Sequence, residues 1–285
     1  VRRAAAVVAA SLGDHAGAVE ILSSAGEDML PVEYLDRGRA LDKLGQHGRA
    51  WADWTTGKAL AREKLGHRYN AEYFKNHFAA LAWAAGEKPR EFMRAAAAPA
   101  DAGPQPIFIC GFPRSGTTLA ETMLSAHSKV IAGDELMGVS DVIEALPAIC
   151  KVRAAYPKAL TALSLGENAD APELLRQIYL LGSRRRIGWE KKPGRPAPKY
   201  FTDKMPLNEL HLPLIRLLFP AAPVLRMERH PLDVMVSCMS QWLAHGGFFG
   251  SSLEDCARHY AAVDSLIQEY RRHPLPLVSV NYERL

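Results

Sequence analysis

The sequence predicts an α/β protein, with a parallel sheet covered by helices on both faces and preceded by an all-helical repeat region. Three observations support this fold class. From residue 106 onward, short apolar runs typical of buried strands alternate with amphipathic helical patterns, as expected for a parallel sheet with helical crossovers. A glycine-bracketed loop joins the first of these strands to a helix. Residues 1–94 instead carry a helical motif that occurs twice.

The repeat region is predicted to consist of paired helices. Leu12-Gly13 recurs as Leu44-Gly45, a separation of 32 residues. Other matched positions are Ala18 with Ala50, Leu22 with Trp54 and Ala25 with Gly57. The pattern resembles tetratricopeptide repeats, whose period is about 34 residues. Because such repeats bury their core only between neighbours, we expect the two copies to end a longer array that binds a protein or peptide partner.

A change of composition separates the repeats from the α/β region. One more amphipathic helix, at 69–85, is expected to cover the last repeat with its aromatic side chains in the core. The Ala-, Pro- and Gly-rich residues that follow are typical of a linker. We therefore predict a tetratricopeptide-like region at 1–94, a linker at 95–105 and an α/β domain at 106–285.

Strand and helix patterns follow each other in the α/β domain. Strands are predicted where apolar runs are short, at 107–110, 130–132, 200–202, 223–227 and 277–280. Helices are predicted where apolar residues recur with helical spacing, at 119–124, 138–150, 172–181, 207–219, 232–243 and 253–271. The strands at 107–110 and 223–227 should lie close enough for one ligand to bridge them.

The loop after the first strand has the features of an anion site. It lies at the N-terminus of the next helix, where free backbone N–H groups and the positive end of the helix dipole attract a negative group. The candidate ligand-binding residues are Pro113, Arg114, Ser115, Gly116, Thr117 and Thr118. Gly111 and Gly116 have the spacing of a Walker A motif, but Thr117 stands where that motif has lysine. The alternative is a tight turn that carries a solvated arginine.

A second candidate anion site follows the strand at 223–227. Arg229 comes at the carboxyl end of that strand, where ligands of open α/β sheets bind. Ser237 lies about two helical turns later, so a phosphate could be held between a guanidinium and a hydroxyl. A structural ion pair at Arg229 is the alternative.

Taken together, these residues resemble the sulfotransferases that use 3′-phosphoadenosine 5′-phosphosulfate (PAPS), and among them the tyrosylprotein sulfotransferases. The resemblance covers residues 106–285 and rests on five elements in the family's order. These are the loop Pro113 to Thr118, the turn Gly133-Asp134-Glu135, the segment Asp203-Lys204-Met205-Pro206, the pair Arg229 and Ser237, and Tyr282-Glu283-Arg284-Leu285. The family continues beyond this last element, so the resemblance implies further donor contacts after Leu285.

The resemblance assigns a role to each element. The loop would cradle the 5′-phosphosulfate, and Arg229 with Ser237 would bind the 3′-phosphate. Glu135, which is 21 residues after Arg114, would be the base for the acceptor hydroxyl. Arg114 and Lys204 would provide the cations near the bridging oxygen, and no metal is implied. An ion pair or helix cap at Glu135 and a surface charge at Lys204 are the alternative interpretations.

Three classes of function are consistent with the sequence. The first is a PAPS-dependent sulfotransferase with a peptide tyrosine, a sugar or a small phenol as acceptor. The second is a P-loop nucleotide hydrolase or kinase, which Thr117 opposes. The third is an adaptor that binds a partner through its repeats while the P-loop-like α/β domain is catalytically silent. The sequence departs from the family pattern at Asp134, at Met205 and in the run Leu136-Met137-Gly138, which stands where the family has basic residues that contact the substrate. These departures argue against a tyrosine-peptide acceptor.

Composition narrows these classes only slightly. The net charge of +4 is too small to indicate nucleic-acid binding, and an anionic nucleotide explains the excess of cations. The four cysteines lack the spacing of a zinc site or a disulfide framework. No apolar run approaches the length of about 20 residues that a membrane span needs, and no signal-peptide pattern occurs. A cytoplasmic protein is therefore expected.

Overall fold

The structure is a computed structural model that describes residues 1–86, 103–164, 168–188, 198–243, 248–272 and 277–285. The chain forms two compact units. Val1–Glu72 and Pro231–Ala261 form the first, which we call the helical unit. Tyr73–His230 and Ala262–Leu285 form the second, which we call the sheet unit. Because residues 87–102 lie outside the described residues, the linker at 95–105 and the domain boundaries stay predictions.

Helices make up most of the described residues. In chain order they are α1 (Arg2–Ser11), α2 (His15–Ser23), α3 (Pro31–Lys43), α4 (His47–Lys64), α5 (Ala71–Gly86), α6 (Thr117–Ser125), α7 (Gly138–Ile149), α8 (Ala171–Ile187), α9 (Leu212–Leu218), α10 (Pro231–Met239) and α11 (Leu253–Arg271). The strands are β1 (Gln105–Gly111), β2 (Val130–Ile131), β3 (Tyr200–Asp203), β4 (Val224–Glu228) and β5 (Leu277–Asn281). The α/β fold class and the all-helical N-terminal region are thus confirmed.

The repeated motif has the same structural role in both copies. Gly13 and Gly45 end the first helix of each pair with φ of +87° and +74°, a left-handed conformation that glycine adopts without strain. Ala18 and Ala50 are both buried in the second helix of their pair. The Leu-Gly signal is therefore a helix-termination signal, and the assignment of these pairs to tetratricopeptide repeats stays a prediction.

The five strands form one parallel sheet in the order β2-β3-β1-β4-β5. β1 is central, and its residues from Pro106 to Gly111 are all buried, which explains their continuous apolar sequence. Phe108 packs against Tyr179 of α8 and Phe219 after α9. As predicted, β1 and β4 are neighbours, with Phe108 opposite Val224. The carboxyl ends of all five strands therefore lie along one edge of the sheet.

Several predicted helices differ from the structure in extent, and the helix predicted at 172–181 runs on to Ile187 in α8. The helix predicted at 207–219 is a 3₁₀ segment, Pro206–His211, followed by α9. Pro213 lies in the first turn of α9 and has no N–H to continue an α-helical ladder from the preceding segment. The helix predicted at 232–243 ends at Met239 instead.

Candidate active site

The phosphate-loop candidate is held tightly at both of its glycines. Gly111 has φ of +140°, and a Cβ atom there would lie 2.5 Å from the Met227 carbonyl oxygen of β4. Gly116 has φ of +100°, and a Cβ atom there would lie 2.3 Å from Cδ2 of Tyr282. Both positions thus combine a left-handed backbone with close approach of a neighbour, and glycine meets both requirements.

The end of the loop presents polar groups for which the described residues provide no side-chain partner. Gly116 is the N-cap of α6 and provides no side-chain cap to the N–H groups of the first turn. The hydroxyl of Ser115 is buried and has no hydrogen-bond partner among the described residues. A buried hydroxyl without a partner costs about 1–3 kcal/mol. A bound anionic oxygen at this helix N-terminus could satisfy these donors.

Arg114 lies at the tip of this loop. Its backbone is left-handed, with φ of 74°, and its side chain is exposed. Pro113 and Gly116 are partly buried, Thr117 is buried, and Thr118 is exposed. The loop therefore places the buried Ser115 and Thr117 next to the exposed Arg114 and Thr118.

The structure brings Arg229 directly against this loop. Arg229 follows β4, and its Nη1 donates a hydrogen bond to the carbonyl oxygen of Arg114 at 3.2 Å. Its guanidinium lies over the ring of Tyr282, 4.5 Å from the ring centroid. Its Nε is buried, and among the described residues it has no hydrogen-bond partner. The two regions predicted to bind phosphates are therefore adjacent, and a buried donor of Arg229 remains unsatisfied.

Tyr282 and Glu283 complete this side of the site. Tyr282 is the residue that packs on both Gly116 and Arg229. The carboxylate of Glu283 accepts a hydrogen bond from His230 N at 2.8 Å, which lowers the pKa of Glu283. The sequence analysis named these residues only as part of a motif and predicted no contact for them. Their place after a predicted strand did indicate that they lie at the sheet edge where the loop and Arg229 lie.

Ser237 and Arg229 belong to different structural units. Ser237 lies on α10 in the helical unit, whereas Arg229 belongs to the sheet unit. The pairing of Ser237 with Arg229 around one phosphate therefore stays a prediction.

Glu135 and Lys204, the candidate base and cation, are brought together. Nζ of Lys204 lies 3.0 Å from Oε1 of Glu135 and 2.8 Å from Oδ1 of Asp134. Burial alone would lower the pKa of Lys204, but its hydrogen bonds to the two carboxylates outweigh burial and raise this pKa above its usual value. The hydrogen bond from Lys204 also lowers the pKa of Asp134. The Lys204 side chain is 6% exposed and that of Glu135 is 55% exposed, so the carboxylate, not the ammonium, faces solvent.

Two residues that sequence reasoning missed fix the turn that carries Glu135. Oε1 of Glu121 on α6 accepts a hydrogen bond from Asp134 N at 3.0 Å and another from the Thr202 hydroxyl at 2.5 Å. The same hydroxyl accepts a hydrogen bond from Gly133 N at 3.0 Å. Glu121 is buried. A single carboxylate in the helix that starts at the candidate phosphate loop could have indicated this role, because a buried carboxylate needs partners. Glu121 therefore links the helix of the loop to the turn of the candidate base.

Asp203 lies under this cluster and is almost fully buried. Its Oδ2 accepts a hydrogen bond from the Tyr179 hydroxyl at 2.8 Å. Burial raises the pKa of Asp203 to about 7. The carboxylate that directly precedes Lys204 is thus partly protonated near neutral pH.

Comparison with known proteins decides the family. The model of the sulfotransferase family matches residues 106–285, which is most of the chain. This chain belongs to the sulfotransferase family. The resemblance inferred from five spaced motifs is therefore confirmed, and every one of these motifs lies within the matched residues.

Several known proteins are similar to this sulfotransferase-family chain. An uncharacterized protein from Aquifex aeolicus (strain VF5) is 32% identical over 191 residues, which are 64% of this chain and 23% of that protein. Protein-tyrosine sulfotransferase 1 of Danio rerio is 29% identical over 184 residues, 63% of this chain and 48% of the relative. Protein-tyrosine sulfotransferase 1 of Homo sapiens is 32% identical over 154 residues, which are 53% of this chain and 38% of that relative. The aligned regions thus span 23% to 48% of the length of these relatives.

Two further properties concern metals and membranes. No group of three or more His, Cys, Asp and Glu side chains is arranged to hold a metal ion within the described ranges. None of the helices that the structure describes has both the length and the apolar character needed to cross a membrane.

Proposed function

We propose that this sulfotransferase-family chain transfers a sulfuryl group from PAPS to a hydroxyl acceptor. One observation carries the proposal. Four neighbouring parallel strands each place a candidate site residue at the same sheet edge, where ligands of such sheets bind. Lys204 follows β3, the loop follows β1, Arg229 follows β4 and Tyr282 follows β5.

The donor side of this edge suits a nucleotide with two anionic groups. The uncapped N-terminus of α6 and the Ser115 hydroxyl, which has no partner in the part of the chain that the structure describes, provide donors for the 5′-phosphosulfate. Arg229, whose Nε is also unpartnered within the described residues, provides a guanidinium for the 3′-phosphate, with Ser237 as its predicted second contact. Pro113, Gly116, Thr117 and Thr118 complete the proposed donor loop.

The acceptor side of the edge suits proton removal. As the acceptor oxygen bonds to sulfur and the bridging S–O bond breaks, the acceptor loses its proton and negative charge develops on the leaving phosphate. Glu135 is exposed enough to take that proton, and Lys204 is held cationic beside it. Lys204 and Arg114 are the groups that we assign to stabilise the developing charge.

The acceptor class remains a hydroxyl compound. Two of the relatives above carry the name protein-tyrosine sulfotransferase, which favours a peptide tyrosine. Leu136, Met137 and Gly138 directly follow Glu135 and provide no cation for an acidic peptide, which keeps sugar and phenol acceptors in consideration.

A thermal-shift experiment tests the donor assignment. We expect adenosine 3′,5′-bisphosphate to raise the melting temperature in excess EDTA, because a ligand at about 100 times its Kd stabilises the folded state by about 2.7 kcal/mol. ATP with Mg²⁺ should have little effect. Arg229→Met is the matched variant and should bind adenosine 3′,5′-bisphosphate at least about tenfold more weakly, because it removes a charge-assisted contact.

Other outcomes of this experiment would support the other two classes. A shift by ATP that requires Mg²⁺ would indicate a nucleotide hydrolase or kinase. No shift by either nucleotide would indicate a silent domain. If adenosine 3′,5′-bisphosphate binds, transfer from labelled PAPS to a tyrosine peptide, a sugar and a phenol identifies the acceptor class.

A further inference from the structure

The turn that carries Glu135 has a strained backbone. Asp134, directly before Glu135, has φ of 59°, a left-handed conformation that residues other than glycine rarely adopt. Gly133 lies so close to β3 that a Cβ atom there would clash with the carbonyl oxygen of Thr202. A strained conformation of this kind persists only where surrounding contacts hold it. The direction in which the Glu135 side chain points therefore depends on the contacts that hold this turn.

Glu121 and Thr202 hold the two N–H groups at the start of the turn. Oε1 of Glu121 accepts a hydrogen bond from Asp134 N at 3.0 Å and one from the Thr202 hydroxyl at 2.5 Å. Because the hydroxyl gives its only proton to Glu121, its lone pairs are available to Gly133 N, which donates to it at 3.0 Å. One carboxylate thus holds both N–H groups, the first directly and the second through a hydroxyl.

The surroundings of Glu121 favour this role over that of a structural ion pair. Its side chain is buried, and it makes these hydrogen bonds but no ion pair within the described residues. Thr202 is fully buried, so water does not compete for its hydroxyl. Hydrogen bonds to a carboxylate are stronger than those between neutral groups. The carbonyl oxygen of Asp134 also accepts a hydrogen bond from Lys204 N at 3.0 Å, which ties the turn to the end of β3.

We propose that Glu121 and Thr202 are positioning residues for the base, because they hold the strained turn in the form that presents Glu135 beside Lys204. Glu121 lies one helical turn after Thr117, at the start of the helix that follows the donor loop. All of these residues belong to the sheet unit. The inference rests on the proposed function, in which Glu135 takes the acceptor proton, and it gives neither residue a contact with donor or acceptor.

Two variants remove the contacts while they keep the size of the side chains. Thr202→Val keeps the branched shape but has no hydroxyl, and Glu121→Met keeps the length but has no acceptor oxygen. Because a misplacement of about 1 Å can cost about 100-fold, we expect kcat to fall about ten- to 100-fold in each. The affinity for adenosine 3′,5′-bisphosphate should stay almost unchanged. Kinetics with labelled PAPS and the acceptor of the wild type, combined with calorimetry, measures both.

Conservative variants and a double variant show whether the effect passes through the base. Thr202→Ser and Glu121→Gln keep the hydroxyl and the acceptor oxygen, so they should keep most of the activity. Added to Glu135→Gln, Thr202→Val should lower kcat little further, because the base is already lost. Full multiplication of the two separate losses would overturn the positioning role. If Glu121→Met does not fold, Thr202→Val still gives the result.

Tyr270→Phe is the matched control for the loss of a buried hydrogen bond. The Tyr270 hydroxyl is buried in the same unit and donates to Leu210 O at 2.8 Å, not to the turn. We expect this variant to lower the melting temperature and to leave kcat unchanged below that temperature. A loss of kcat equal to that of Thr202→Val would overturn the inference, since kcat would then follow stability in general.

Amide hydrogen exchange provides a measurement that does not depend on activity. We expect the N–H groups of Gly133 and Asp134 to exchange at least about tenfold faster in Thr202→Val, and to keep their wild-type rates in Tyr270→Phe. Unchanged exchange in Thr202→Val would overturn the positioning role even if transfer occurs. Absence of transfer by the wild type would instead reject the proposed function, and with it the catalytic purpose of the contacts, whatever the exchange rates are.

Discussion

At the scale of single residues, one ammonium group holds two carboxylates. Lys204 binds Asp134 and Glu135 at nearly equal distances, so the two carboxylates share one cation. A free carboxylate has a pKa of about 4.3 and a phenol one of about 10, so a carboxylate base takes the proton mainly as the acceptor acidifies in the transition state. In the proposed mechanism, Asp134 would keep Lys204 in place while Glu135 takes the proton of the acceptor.

Removing the base should therefore affect turnover and not donor binding. Glu135→Gln keeps the size of the side chain but cannot take a proton, and we expect kcat to fall about 10²- to 10⁴-fold. The affinity for adenosine 3′,5′-bisphosphate should be almost unchanged, as for a group used in the transition state. Steady-state kinetics with labelled PAPS, combined with calorimetry, measures both quantities.

Asp134→Asn is the matched control for this prediction. It removes the neighbouring carboxylate and one partner of Lys204, and we expect a much smaller loss of kcat than for Glu135→Gln. The reverse order of the two variants would make Asp134 the base. Normal turnover in both would point to another group, such as the exposed His127.

At the scale of elements, the strand–loop–helix unit depends on the contact between Gly116 and Tyr282. Gly116→Ala places a methyl group against the tyrosine ring in a left-handed backbone. We expect a destabilisation of about 1–3 kcal/mol and weaker binding of adenosine 3′,5′-bisphosphate, because Tyr282 must move away from Arg229. Denaturant unfolding and calorimetry test this expectation.

Gly48→Ala is the control for replacing glycine by alanine where neither a close neighbour nor a left-handed backbone opposes it. Gly48 lies near the start of α4, has no left-handed backbone, and nothing lies within 4 Å of a Cβ built on it. Alanine there should leave stability unchanged or raise it by up to about 1 kcal/mol. Equal stability of Gly116→Ala and wild type would show that the loop relaxes easily and that Tyr282 does not fix it.

The sequence predicted elements well where one local signal decided them. β1 and α6 follow from an apolar run and a glycine turn, and Arg229 follows from its place after a strand. The 3₁₀ segment Pro206–His211 was not predicted, because apolar spacing alone cannot distinguish it from an α-helix. Glu121 and Thr202 were missed because their roles depend on contacts between elements far apart in the chain, which one sequence does not reveal.

At the scale of the whole molecule, buried acids make stability depend on pH. Burial raises the pKa of both Asp203 and Glu209 to about 7. Glu209 has Arg226 as an ion-pair partner at 3.1 Å. Asp203 instead accepts a hydrogen bond from Tyr179, a neutral donor. Asp203 is therefore the clearer position at which to measure the cost of a buried charge.

The direction of this pH dependence follows from the pH at which Asp203 releases its proton in the folded and in the unfolded chain. Below about pH 4, Asp203 is protonated in both the folded and the unfolded chain. Between about pH 4 and 7, only the folded state keeps the proton, so the free energy of unfolding falls as the pH rises. Above about pH 7 the free energy of unfolding falls no further. The total loss that the raised pKa implies is at most about 4 kcal/mol.

Asp203→Asn should remove this part of the pH dependence. The amide oxygen still accepts the hydrogen bond from Tyr179 but cannot ionise. We expect the melting temperature of the wild type to fall relative to that of Asp203→Asn between pH 4.5 and pH 7.5, in thermal unfolding without nucleotide. Asp134→Asn should change the pH dependence of stability in the opposite direction, because the lowered pKa of the exposed Asp134 favours folding above about pH 4. Parallel curves for wild type and Asp203→Asn would show that Asp203 ionises in the folded protein without cost, and that its burial does not limit stability at neutral pH.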